Sequence, residues 1–278
     1  MNHRDNSPTA SADRSPPPPY GQVQEAPTTD DSVVVTSSRS RKQQARLRSS
    51  FLEATCPFPP LWNLYHTLSV GRVLMLGSHE REPIFAVSRH TGWWSGQPDL
   101  ILHRGPSDTL PPLAAGMGGV GVGRHSIIVL PSLPGSSLDS SQELLVRVNE
   151  EKNEWHVRFR FAIEVGPEPN SWRREVFEWR HSHGDVVSAF LDGSSRSGWK
   201  LVRLAEHSAG DLVWPRSSDG CEVVAVWSYA RLSLTKVLKF RFLGSGATGV
   251  LGERWAIMAV MTALRMYQKQ QRNRDAGL

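Results

Sequence analysis

Few stretches of this chain could do chemistry. His181-Ser-His183-Gly-Asp185 carries the donor atoms of a metal site. On an extended strand the two imidazoles would share a face, as two ligands of one ion should. Gly184-Asp185 reads as a turn, however, and no third histidine or cysteine stands at a ligand spacing. A polar strand end is the simpler reading, and no metal is expected. Gly116-Met-Gly118-Gly-Val-Gly121 matches the glycine pattern of a dinucleotide loop. That loop needs a strand before it and a helix after it, because the pyrophosphate rests on the helix N-terminus. Here Pro111-Pro112 precedes it and Arg124-His-Ser-Ile-Ile-Val-Leu130 follows as a strand, so a flexible loop or bulge is expected and no cofactor. There is no G-x-S-x-G elbow, and Gly244-Ser245-Gly246 reads as a flexible entry to the last helix. No catalytic residue is assigned, and the expected function is non-enzymatic.

Binding is better represented. In Trp155-His-Val-Arg-Phe-Arg-Phe161, Trp155, Val157, Phe159 and Phe161 fall on one face of a strand, with His156, Arg158 and Arg160 on the other. In Val237-Leu-Lys-Phe-Arg-Phe242, Leu238, Phe240 and Phe242 oppose Lys239 and Arg241. These read as half-buried strands with a basic outer face, and Arg158, Arg160, Lys239 and Arg241 are the candidate contacts for an anion or an anionic lipid. The net charge is +5, from 32 basic and 27 acidic residues, a mild bias that gives no reason to expect sequence-specific nucleic-acid binding.

The first 55 or so residues hold almost no large apolar groups, and Ser, Thr, Pro, Gln and Arg dominate. Such a composition cannot offset the entropy of ordering the chain, so a disordered tail is expected over 1–55. Within it, Pro17-Pro18-Pro19-Tyr20 has the Pro-Pro-x-Tyr form read by WW domains: the stiff polyproline segment fills an aromatic groove and Tyr20 a second pocket. Such tetrapeptides also arise by chance in proline-rich linkers. If this one is used, the partner is a WW-domain protein such as a ubiquitin ligase. Ser7-Pro8 and Ser15-Pro16 are candidate phosphorylation sites, and the Arg39 to Arg48 cluster fits a nuclear signal, a membrane contact or a solvated charge run. Cys56 and Cys221 form neither a disulfide framework nor a ligand set, and no signal peptide opens the chain. The expected compartment is cytoplasmic, with the membrane periphery or nucleus as alternatives, and the expected state is a monomer.

From Leu61 onward, short apolar or alternating runs are separated by Gly, Pro, Asn and Asp, the spacing of an antiparallel sandwich or barrel. Eleven runs are read: 61–68, 71–77, 83–89, 99–103, 125–130, 143–148, 154–163, 175–181, 199–204, 221–229 and 236–242. The pattern then breaks. From Leu251 to about Gln271 there is no proline, and Trp255, Ile257, Met258, Val260, Met261 and Leu264 spread around a helix rather than along a stripe. Ten apolar residues rise about 15 Å, half of a bilayer core, so protein rather than lipid must enclose them. A helix threaded through a β-barrel is the simplest architecture.

That combination resembles the tubby C-terminal-like fold shared by tubby proteins, phospholipid scramblases and LURP-one-related proteins, and within it the fungal tubby-like proteins. The resemblance covers about 60 to 272 and is carried by Arg89-His-Thr-Gly-Trp93-Trp-Ser-Gly-Gln-Pro98-Asp-Leu-Ile-Leu-His103, Phe177-Glu-Trp-Arg180, Ser197-Gly-Trp-Lys-Leu-Val-Arg203, Glu222-Val-Val-Ala-Val-Trp227, Lys239-Phe-Arg-Phe-Leu-Gly244 and Leu251-Gly-Glu-Arg-Trp255. It implies a closed antiparallel barrel of about twelve strands around a hydrophobic C-terminal helix, over residues 56–272, with a disordered end at 273–278. It also implies phosphoinositide binding through basic residues on the barrel exterior. Scramblases carry an acidic calcium-binding segment before the last helix, whereas Lys236 to Val250 has no carboxylate, so calcium-driven scrambling is not implied. A lipid-moving protein or an enzyme with an undetected site is the alternative reading.

Overall fold

The computed structural model describes residues 58–67, 72–90, 97–118, 125–133, 135–148, 157–166, 169–191, 197–205, 214–230 and 233–277. The tail, with Pro17, Pro18 and Tyr20, lies outside the described residues, as do Trp155 and His156.

Twelve antiparallel strands close into a barrel in the order β1-β12-β11-β10-β9-β8-β7-β6-β5-β4-β3-β2. They are β1 (Leu61–His66), β2 (Val73–Gly77), β3 (Phe85–Arg89), β4 (Leu100–His103), β5 (Pro112–Gly118), β6 (His125–Pro131), β7 (Ser140–Val148), β8 (Arg158–Val165), β9 (Arg173–Ser182), β10 (Gly198–Arg203), β11 (Val223–Tyr229) and β12 (Lys236–Phe242). Each strand pairs with its neighbours in sequence, and β1 meets β12 to complete the circle, leaving no free edge. Three helices complete the chain: α1 (Asp185–Phe190), α2 (Gly244–Ala247) and α3 (Glu253–Asp275).

The last helix runs through the barrel. Every residue from Ile257 to Gln268 is buried, three full turns without a solvent face. Trp255, Ile257, Met258, Val260, Met261 and Leu264 are each at most 1 % exposed. They share one core with the inward side chains of the strands, among them Trp62, Leu76, Phe85, Leu102, Phe177, Trp179, Trp227 and Phe240. Trp62 stacks on Phe240 with centroids 4.6 Å apart, and Trp179 meets Phe240 edge-on. One hydrogen bond ties wall to axis: the Trp179 indole donates to Thr262 Oγ1 at 2.9 Å, while the threonine hydroxyl faces the Met258 carbonyl of its own helix. The helix ends at Asp275 rather than near Gln271, and Arg265 lies inside at 2 % exposure.

Its entry is built from glycine. Gly252, at the N-cap, has φ +86°, and a Cβ there would fall 2.5 Å from the Gly166 carbonyl oxygen. Gly246 packs so closely that a Cβ would meet the Val224 carbonyl at 2.3 Å and the Trp255 ring at 2.7 Å. The Gly244-Ser245-Gly246 stretch is therefore not a flexible entry. It forms the short helix α2, in which Gly244 and Ser245 are buried.

Two further expectations need correction. The glycine-rich stretch begins as a strand, β5, whose Pro112 stands first, where a missing N–H breaks no ladder. Gly184-Asp185 opens a helix, not merely a turn. Helix α1 packs Val187, Phe190 and Leu191 against Val223, Val226 and Leu243, covering part of the outer wall. This second cover explains why β11 is buried on both faces from Val223 to Ser228.

Candidate functional site

The four basic candidates lie on the outer wall. Arg158 and Arg160 are on β8, and Lys239 and Arg241 on β12, with β9, β10 and β11 between them, so they do not make one patch. Arg160 pairs with Glu178 at 2.6 Å and Arg158 with the same carboxylate at 3.6 Å. Arg180 bridges Glu178 at 2.8 Å and Asp219 at 2.6 Å. Burial pushes the Glu178 carboxyl up, but the hydrogen bonds from Arg180 and Arg160 outweigh it and hold it below the usual range. Asp219, bonded to Arg180, falls to about 2 although partial burial opposes the shift. Arg241 lies 5.7 Å from the Phe190 ring and donates to its carbonyl, clamping α1. Arg158, Arg160 and Arg180 thus share two carboxylates, Glu178 and Asp219, and Arg241 is held by Phe190.

The two ends of the barrel differ. At one end the helix enters, and its walls are tied by buried ions. Arg203 makes a bidentate pair with Glu175 at 2.6 and 2.8 Å and reaches Ser245 Oγ at 3.3 Å. Glu222 accepts the Ser245 N–H at 2.7 Å and its hydroxyl at 3.0 Å. Arg254, just inside the helix, contacts Glu143 at 3.0 Å and Ser141 Oγ at 2.5 Å. An apolar hollow of about 310 Å³ opens here between Phe58, Phe242, Leu251 and Trp255.

The other end, where the helix exits, is basic and aromatic. Around it are the last residues of β1, β3, β5, β7, β9 and β11 and the first of the remaining strands. Described cations at or near this mouth are Arg72, Arg89, Arg147, Arg158, Lys236, Arg265, Lys269, Arg272 and Arg274. The described carboxylates near it are Asp99, Asp185, Asp275, Glu178, which Arg158 contacts at 3.6 Å, and Glu80, which accepts from Thr235 Oγ1 at 2.8 Å. Burial lowers the His66 and His90 imidazoles; Arg89 lowers His66 further, and His103 and Arg72 lower His90 further against the pull of Asp99.

A groove of about 730 Å³ lies at this mouth, between β9–β12, β1 and the end of α3. Its walls include His66, His181, Trp199, Trp227, Tyr229 and Tyr267, with Lys236, Gln270, Asn273 and Arg274. Trp199 stacks on Trp227 at 6.1 Å, and His181 meets Trp199 edge-on. The Arg274 guanidinium sits 4.2 Å over the Tyr229 ring. Burial drives the Tyr229 hydroxyl up to about 12, and it donates to Gln270 Oε1 at 2.6 Å. The buried Trp227 Nε1 has no hydrogen-bond partner among the described residues. No carboxylate lines the groove among the described residues, and its two histidines are held toward the neutral form by burial. Trp199, Trp227 and Tyr267 are each at most 5 % exposed, so what the groove offers a ligand is its basic and amide rim, which attracts negative charge.

His181 and His183 are neighbours, ring centroids 4.7 Å apart, but no cluster of three metal-binding side chains occurs among the described residues. The groove was not legible in the sequence because its parts come from five strands and the helix, with no strand contributing more than three residues. The signal available was the basic end of the helix, Lys269, Arg272 and Arg274.

No family model, curated protein or solved structure matches the chain. No helix among the described residues is long and apolar enough to cross a membrane, which leaves strands out of account.

Proposed function

We propose that this chain is a binding module of the tubby-like kind, whose basic helix-exit mouth docks on an anionic phospholipid surface, rather than a catalyst. The observation carrying this is the coincidence at one mouth of excess cations with an aromatic groove rich in amide side chains. A phosphorylated polyol headgroup would sit at the groove's rim, its charge met by Lys236 and Arg274 and its hydroxyls by Gln270 and Asn273. The helix-filled barrel resembles the tubby-like architecture and supports the same reading. The wall arginines are redeployed as structural ions, and the lipid contact moves from the wall to the mouth. The tail motif would add a WW-domain partner, a contact that Tyr20→Ala should abolish in a pull-down.

The test is co-sedimentation with vesicles. Binding to phosphatidylserine-containing vesicles, weak binding to phosphatidylcholine alone, and loss as salt rises are expected. Lys236→Glu with Arg274→Glu should reduce binding. Equal affinity for neutral and acidic vesicles would sink the reading.

A further inference from the structure

On the β3–β7 side of the same mouth, away from the aromatic groove, two cations of the helix share one carboxylate and a third stands between them on the same face. Arg265, Lys269 and Arg272 are spaced by four and three residues, so they lie along one face. Arg265 Nη2 contacts Asp99 Oδ2 at 2.7 Å, and Arg272 Nη2 contacts Oδ1 at 3.3 Å. The Gly118 N–H also donates to Asp99 Oδ2, at 3.1 Å. Gln268 fixes the arrangement, accepting from Arg265 at 2.6 Å and donating to the Asp99 carbonyl at 2.7 Å. Asp99 is thus fully engaged by the two guanidiniums and the backbone. Lys269 has no hydrogen bond or ion pair among the described residues, although it is partly buried.

Three stacked cations against one carboxylate repel each other, and the helix dipole does not account for them. Its field falls off within the last turn, which Arg272 and Arg274 already occupy. Arg265 and Lys269 stand further in.

We propose that Lys269, backed by Arg265 and Arg272, forms an oxyanion site that takes a phosphate monoester group. The local surplus of two positive charges matches a phosphate that is close to doubly negative at neutral pH. Charge-assisted bonds from an ammonium and a guanidinium suit its oxygens. The lysine is poised for it. Burial first, then Arg265, Arg147 and Arg272, push its ammonium down to about 8 against the opposing pull of Asp99. The other titratable group nearby is His90, whose imidazole burial lowers and whose carbonyl Arg272 holds at 2.8 Å. A bound phosphate would favour the charged lysine.

The experiment titrates the full chain with inorganic phosphate at constant ionic strength, comparing wild type with Lys269→Gln. Above pH 8, where inorganic phosphate is already mostly the dianion, saturable binding should weaken as the lysine loses its proton. Lys269→Gln should bind about tenfold more weakly and lose that pH dependence. Without phosphate the variant should be at least as stable as wild type, since it removes an unpaired, partly buried cation, so misfolding will not mimic the result. Vesicles separate the phosphate sources. If the phosphate is a lipid headgroup, Lys269→Gln weakens binding to phosphatidylinositol-4-phosphate vesicles and leaves phosphatidylserine binding unchanged. If it is soluble, the effect is confined to inorganic phosphate. Wild-type behaviour of Lys269→Gln in both arms overturns the site and leaves the membrane reading standing. Phosphate binding without any vesicle binding overturns the membrane reading and leaves the site standing.

Discussion

At the scale of single residues, charge in this protein does two kinds of work, and burial separates them. Arg203, Glu175, Glu222 and Ser245 are all under 7 % exposed and satisfy one another. Removing one partner of such a set strands the others in a low-dielectric site, which costs more than the intact pair contributes. Arg203→Ala should therefore lower stability by about 3–5 kcal/mol in urea unfolding. Burial raises the Glu175 carboxyl, but bonds from Arg203 and Arg173 override it and depress it below the usual 4.5. A depressed carboxylate stabilises the fold above its unfolded-state value, and that contribution is lost as pH falls through the folded-state value. Wild type should lose stability as the pH drops below about 4.5, and Arg203→Ala should show a shallower loss. A variant as stable and as acid-sensitive as wild type would mean that the network is incidental. The cations of the exit mouth, by contrast, outnumber their carboxylates.

At the scale of elements, the strand alternation was legible wherever one face is core and the other water. In β8, Phe161, Ile163 and Val165 are buried while Arg160 is exposed, and in β12 Leu238, Phe240 and Phe242 point inward as the pattern requires. The helix was legible because apolar residues on all its sides leave only enclosure. What failed shares a cause: β5, with Ala114, Ala115 and Gly116, has side chains too small to show a period, so its glycines read as a loop. Helix α1 has six residues, too few for a helical period to emerge. Pairings such as Arg158 with Glu178 arise only across strands, which spacing along the chain does not reveal. The enclosed helix makes a sharp prediction. Aspartate at Trp255, Ile257, Met258, Val260, Met261 or Leu264 should cost several kcal/mol, whereas Leu144→Asp, at a site 51 % exposed on β7, should cost about 0.5 kcal/mol or less. Thermal unfolding of the seven variants reads this directly. One freely tolerated position among the six would contradict enclosure.

At the scale of the whole barrel, the two ends divide the labour. The entry end is tied together: close glycine contacts, buried ion pairs and α2 join the walls to the helix around Arg203 and Arg254. The exit end gathers the unspent charge and the aromatic groove. Closure removes strand edges, so partners must be met by a mouth or by the wall, and the wall arginines are largely paired. The most direct test of this polarity is hydrogen–deuterium exchange of the full chain on phosphatidylserine-containing vesicles, compared with the free protein. Amides of 229–230, 233–237 and 266–277, around the exit mouth, should exchange more slowly on the vesicles, while those of 243–253 at the entry end remain unchanged. Slowing confined to 243–253 or to the β8–β9 wall, with the exit mouth unaffected, would contradict the account.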